Sequence, residues 1–216
     1  MLRKILVLTL AFLVGLTFTT HGNENDKYAI HELYYDDPYV TVNHIMHEAI
    51  TTLRSLHRND ISSITNVEQF IEANLIPHID VSYATQIALA EHWDTLSNEQ
   101  RTVFEDYITK NIVEGYSALL GSYNTIENIS YHVQSDYWSS KNRAIVKVDI
   151  TYNPEYFPIT VKIKMSKRGE VWKVYDMVFS GTSIVFTYRA QFGTQIDRMG
   201  LEALLERLRR DLDKKR

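Results

Sequence analysis

The side chains that could do chemistry in this 216-residue chain are few and scattered. Eight His invite a metal centre. His44 and His47 stand three apart on a predicted helix with Glu48 beside them, neighbours on one face. A metal needs three or four converging ligands, and neither HExxH nor another ligand spacing accompanies the pair, so a solvated helix face is the favoured reading. His78-Ile79-Asp80 reads as turn and cap rather than catalytic dyad. Ser183 lies in Gly-Thr-Ser, not in a GxSxG elbow, and an N-cap role accounts for it. Asp176 falls inside a predicted strand, where a carboxylate facing the core is unexpected. It either pairs with a cation, for instance Arg189 of the following helix, or serves as a general base; pairing is favoured. No glycine-rich phosphate loop occurs among eight Gly, so no nucleotide site is expected. Cys is absent, which removes thiol chemistry, cysteine–zinc sites and any disulfide scaffold. No cofactor and no metal are expected.

Composition narrows the classes further. Residues 1–22 read as a secretory signal peptide: Arg3 and Lys4 form the charged start, Ile5 to Phe18 the apolar run, and Thr20-x-Gly22 a small-residue cleavage site. The run is short of the roughly 20 residues a bilayer-spanning helix needs. Without the leader, 21 of the 23 basic residues face 27 acidic ones, a net charge of −6. That balance argues against nucleic-acid binding and against tight adhesion to anionic membranes. The expected organisation is a flexible lead-in over 23–36 and one domain over 37–216.

The elements that must position these residues follow from periodicity. Asp37-Pro38 opens a helix whose stripe is Val42, Ile45, Met46, Ala49, Ile50 and Leu53. A short helix capped by Asn66 runs towards Pro77, and Asp80 caps a third that carries Tyr83, Ile87 and Leu89. Ser97-Asn98-Glu99-Gln100 is a capping box that starts a long helix with a broad apolar face. From about residue 126 the period becomes two: a weaker strand over 129–137, then Val146, Val148 and Ile150, then Ile159, Val161, Ile163 and Met165. Lys167 to Glu170 turns the chain into the strand Trp172 to Phe179, which is apolar on both faces. Trp172, Val174 and Val178 share one, and Val171, Tyr175, Met177 and Phe179 the other. Ser180-Gly181 turns it again, and Ser183 caps a helix bearing Ile184, Val185, Tyr188, Phe192 and Ile196. Gly200 precedes a final amphipathic helix. The predicted fold class is α+β: a curved antiparallel or mixed sheet packed against several helices. Either the last strand is central and packed on both sides, or sheet and long helix leave an apolar pocket between them.

An ordered set of residues carries a family resemblance. Val174-Tyr175-Asp176-Met177-Val178, Gly181-x-Ser183-Ile184-Val185, Tyr188-Arg189-x-x-Phe192 and Gly200-Leu201 resemble the MlaC, or toluene-tolerance, family. Asp37-Pro38-Tyr39-Val40, Pro77-His78-Ile79-Asp80, Gln100-Arg101, Phe104 and Tyr116 agree in order, and the resemblance spans about residues 37 to 210. One departure is Leu89-Ala90, where the family commonly shows Leu-Gly, read here as a packing difference.

The resemblance implies a nuclear-transport-factor-like cone with an apolar lipid pocket between sheet and helices. It implies a periplasmic phospholipid carrier of Gram-negative bacteria, with phospholipid as cargo. Such a carrier works between an outer-membrane lipoprotein–porin complex and an inner-membrane ABC transporter with an MCE-domain ring, and is associated with outer-membrane lipid asymmetry. Membrane contact would be transient. The headgroup can stay in water, so no dedicated charged site is required. The expected acyl-chain lining is Phe104, Tyr107, Ile108, Tyr116, Val146, Val148, Ile150, Val161, Ile163, Trp172, Val174, Ile184 and Tyr188. Two other readings stand beside it: an enzyme of the same cone-shaped class using Asp176 as base on a small apolar substrate, and a structural adaptor with a filled core.

Overall fold

Side-chain caps start the helices where the sequence places polar residues before apolar periods. The computed structural model describes residues 36–59, 63–121, 126–152, 155 and 157–214, apart from the side chains at 116, 118–121 and 126. The expected leader and nearly all of the lead-in lie outside the described residues. Asp37 caps α1 (Pro38–Arg58), its Oδ1 accepting from the N–H groups of Tyr39 and Val40 at 2.7 and 3.0 Å. For α2 (Ile64–Phe70) the cap is Ser63 rather than the expected Asn66, whose N–H instead donates to Ser63 Oγ. The chain then continues through a π turn (Ile71–Leu75) and a 3-10 turn (Ile76–His78) that accommodates Pro77. Asp80 caps α3 (Val81–Leu89). This helix buries Ala84, Thr85, Ala88 and Leu89, so its inward face is one step round from the expected Tyr83–Ile87 stripe. The long helix α4 (Asn98–Gly121) opens on the capping box: Ser97 Oγ accepts from Gln100 N–H at 3.2 Å while Gln100 Oε1 accepts from Ser97 N–H at 2.9 Å.

The strands are β1 (Ser130–Val133), β2 (Trp138–Ser139), β3 (Arg143–Thr151), β4 (Ile159–Arg168), β5 (Val171–Phe179) and β6 (Thr182–Ser183). They form an open antiparallel sheet in the order β1-β3-β4-β5-β6, with β2 also paired to β3. One parallel bridge, Ile79 to Val174, lays the start of α3 along the β5 edge. Ser180 (φ 46°) and Gly181 (φ 81°) make the two-residue turn between β5 and β6, a mirror-image turn that needs positive φ at both positions. Ser183 then caps α5 (Ile184–Met199), its Oγ accepting from Phe186 N–H at 3.0 Å, and Gly200 leads into α6 (Leu201–Asp213). The architecture is α+β.

Pairing along β4–β5 shifts by one residue. Lys164 opposes Asp176 but Met165 opposes Val174, so Tyr175 is the extra residue of a β-bulge. The bulge reverses the alternation that a regular strand would have. Trp172 and Val174 face the same core as Met177 and Phe179, while Asp176 faces the other side with Lys164. The expected two-face division of this strand is therefore corrected beyond Tyr175.

Apolar side chains gather in two cores. The first joins α1, α2 and the inner face of β3 and β4, where Val146, Val148, Ile150, Val161 and Ile163 are fully buried. The second joins α3, α4, α5 and α6 around Phe104, Phe192 and Leu205. Ile112 of α4 packs against both.

Just after α3, Ala90 has φ 49° and ψ −120°, a backbone region natural to glycine and disfavoured for alanine. The Leu89-Ala90 departure thus concerns backbone conformation rather than packing. Strain at such positions is about 1–3 kcal/mol, and glycine gives back roughly 0.4–1 kcal/mol through the unfolded chain. Ala90→Gly should therefore raise the urea midpoint, by a stability gain of about 1 kcal/mol. A lowered midpoint at unchanged m-value contradicts the assignment.

A candidate apolar cavity at the seam of the two cores

The β5 bulge, the start of α5 and the facing sides of α3 and α4 line a partly open cavity where the two cores meet. Its free volume is about 50 Å³. Ile79, Val81, Ala84 and Ala88 wall one side and Ile108 and Ile112 of α4 another; Val174 to Met177 of β5 and Ile184, Val185 and Tyr188 of α5 complete it. The lining is apolar except at Asp176 and the hydroxyls of its tyrosines.

Asp176 is 4% exposed and fully engaged. Its Oδ2 accepts from Lys164 Nζ at 2.8 Å and from Ser183 Oγ at 2.7 Å, and its Oδ1 accepts from Val185 N–H at 3.1 Å. The bulge creates this arrangement by turning Asp176 onto the face of Lys164. The cation partner is thus Lys164, not Arg189, which pairs with Glu91 at 3.7 Å. Ser183 serves twice, accepting from Phe186 N–H while donating to Asp176. A general base needs a free lone pair aimed at a substrate proton. Here both oxygens tie β4, β5 and α5 together instead.

Among the described residues no group of three or more His, Asp or Glu side chains could hold a metal ion. Asp80 accepts from Tyr83 N–H, Ser166 Oγ and Arg168 Nε. The His78 imidazole is held down at about 4, chiefly by burial, with the positive charges of His44 and Lys173 adding to it. Burial also lowers His44, with Glu48 opposing and His47 adding to the shift.

Of the residues expected to line a pocket, the fold brings Ile108, Val174, Ile184 and Tyr188 to the cavity wall. Val146, Val148, Ile150, Val161, Ile163 and Trp172 lie in the first core instead, in one apolar cluster with residues of α1 and α2. The Trp172 indole N–H donates to the Asp36 carbonyl at 3.1 Å. Phe104 and Tyr107 belong to the second core, where Phe104 meets Phe192 edge-on at 5.1 Å. Tyr116 lies on α4, with its side chain outside the described residues. Ile79, Ala84, Ala88, Ile112 and Met177 were not anticipated. Two small residues four apart in α3 were the available signal, since a stripe of Ala on an inward face leaves room beside it.

A profile of the MlaC protein family matches residues 43–210. The chain belongs to the MlaC family. Among MlaC relatives, the intermembrane phospholipid transport system binding protein MlaC of Haemophilus influenzae is 23% identical over 175 residues, covering 79% of this chain and 80% of that one. The phospholipid-binding protein of Ralstonia solanacearum, solved with a bound phospholipid, superposes with a TM-score of 0.62 at 22% identity. The match covers 76% of this chain and 89% of that one, a likeness of fold. The seam cavity is thus described on an MlaC fold.

Two tests follow from the geometry. Asp176→Ala strands the Lys164 ammonium and frees Val185 N–H, and should cost about 2–4 kcal/mol of stability by urea unfolding, the exposed part of Lys164 moderating the loss. A change under about 0.5 kcal/mol contradicts the anchoring role. For His78 the folded protein resists the proton that the unfolded chain takes up below its ordinary value of 6.5. Stability contributed by this residue is therefore complete above pH 6.5 and declines as pH falls towards about 4, by up to about 1.4 kcal/mol per pH unit. His78→Gln should flatten that slope in urea titrations; an unchanged slope excludes His78 as its source.

Proposed function

We propose that this protein is a periplasmic phospholipid carrier whose acyl-chain site is the seam between the two cores. The observation that carries the reading is an apolar cavity, walled by helices and by the β5 edge, in a member of the MlaC family. Two similar proteins bear names or bound ligands that point to phospholipid: the Haemophilus transport-system protein and the Ralstonia phospholipid complex. No helix among the described residues is long and apolar enough to cross a membrane, which is compatible with a shuttling protein.

Energetics support the cargo class. Each buried CH₂ contributes about 0.8 kcal/mol, so the tails of a phospholipid supply ample affinity without any charged pocket. The cavity in this conformation is smaller than the roughly 150 Å³ that holds one benzene ring. Loading therefore requires the cores to part. Acyl chains would enter along Ile108, Val174, Ile184 and Tyr188. Further parting would bring Phe104 and Tyr107 from one core, and Val146, Val148, Ile150, Val161, Ile163 and Trp172 from the other, within reach, with Tyr116 further along α4.

Exchange needs partners that bind the open and closed forms unequally. We assign those roles to an inner-membrane MCE-domain ABC transporter and an outer-membrane lipoprotein–porin complex, with outer-membrane lipid asymmetry as the outcome. The signal peptide over residues 1–22 would deliver the protein to the periplasm.

Ala88→Leu tests the site by filling the cavity from its α3 wall. Uptake of fluorescent phospholipid from vesicles should fall several-fold while far-UV circular dichroism and the unfolding midpoint show a folded protein. Wild-type uptake in a folded Ala88→Leu protein removes the seam as the lipid site.

A further inference from the structure

The outer face of the sheet carries a cationic and aromatic cluster that an apolar cavity does not require. Arg143 opens β3 and is exposed, whereas its neighbour Ala144 is buried in the first core. Its guanidinium lies over the ring of Tyr83 at 4.9 Å and that of Tyr175 at 5.7 Å. These two rings meet edge-on at 5.0 Å. Tyr175 is the bulge residue and also walls the cavity, so the cluster is continuous with the seam.

The cations here differ in how far they are neutralised. Arg168 lies 4.8 Å from the Tyr83 ring centroid, and its Nε donates to Asp80. Arg143 has no carboxylate within ion-pair distance among the described residues, and the same holds for Lys173. Register places both in one row across the sheet, Arg143 opposite Ser166 and Ser166 opposite Lys173. Successive strands stand about 4.8 Å apart, so about 10 Å separates Arg143 from Lys173, and Ser166 between them is buried and donates to the Asp80 carboxylate, which leaves Arg143 as the cation open to an anion. Ring faces orient a guanidinium and reduce the entropy lost when its fork engages an anion. A planar fork with five donors suits two phosphate oxygens at once.

We propose that Arg143, held by the Tyr83–Tyr175 pair, seats the phosphate of the lipid whose acyl chains occupy the cavity. The assignment rests on the reading of the seam as a lipid site and departs from the expectation that the headgroup needs no charged partner. It makes the protein select phosphodiester lipids over neutral lipids with the same tails. Headgroup chemistry beyond the phosphate points away from the cluster and is weakly discriminated.

The test is competition between two lipids of identical dioleoyl tails, phosphatidylglycerol and diacylglycerol, supplied in equal amounts to the full secreted protein and read by native mass spectrometry. Wild type should load phosphatidylglycerol preferentially. Arg143→Gln should lower the loaded ratio by about 5–10-fold with total loading kept, and Arg143→Lys should restore part of it. Equal ratios in wild type and Arg143→Gln, with both lipids loaded, overturn the phosphate seat and leave the carrier intact. Failure of both lipids to load wild type removes carrier and seat together. Titration of the lipid-free protein with inorganic phosphate separates the two sources of this anion: no saturable binding is expected at millimolar phosphate. Saturable, Arg143-dependent binding of phosphate alone overturns the assignment to lipid.

Discussion

One carboxylate at one bulge holds the two halves of this molecule in register. Tyr175 adds a residue to β5, and the strand that carried Val174 into the first core then presents Asp176 to Lys164 and to the first turn of α5. A regular strand would have pointed Asp176 at the aliphatic core, an uncompensated buried charge. With the bulge it receives three hydrogen bonds, and the same residue that avoids a desolvation penalty fixes where α5 begins. The helices of the second core are therefore joined to the sheet by a polar anchor at the cavity wall, beside the Ile79–Val174 bridge and the long helix, which places Ile108 in one core and Val113 in the other.

Under the proposed carrier reading the seam is where the molecule opens, with the long helix, which contributes to both cores, as the element they share. Dense interiors resist continuous deformation, so a gap between two packed cores is the place of least repacking. Ile112 touches both cores, and the Asp176 network spans β4, β5 and α5. Opposite these sit Ala84 and Ala88, whose small side chains leave the gap unfilled. In the proposed carrier an apolar guest would supply the contacts that the two cores give up on opening.

Much of the scaffold was legible from local rules. Asp37-Pro38, the Ser97–Gln100 box, Ser180-Gly181 and Ser183 each satisfy orphan backbone groups or demand a particular φ, and such requirements act over three or four residues. The inner faces of β3 and β4 were legible for the same reason, since a period of two needs no long-range information. What periodicity missed was non-local. A bulge shows itself only in the pairing of two strands, so the faces of β5 beyond Tyr175 and the Lys164 partner of Asp176 could not be read from β5 alone. The lining was legible in part: Ile108, Val174, Ile184 and Tyr188 reach the cavity, but the alternating faces of β3 and β4 meet α1 first. The positive φ at Ala90 was hidden from local rules, because alanine carries no signal for a conformation it disfavours, and showed only as the departure from Leu-Gly, which was read as packing.

Native mass spectrometry of the protein, purified from bacteria without detergent and then incubated with phospholipid vesicles, is the most direct test of a carrier that stores acyl chains at its seam. The predicted spectrum shows the folded chain with a mass excess equal to one or two phospholipids, identified by extraction. A folded protein that keeps its unliganded mass after vesicle incubation contradicts the carrier reading.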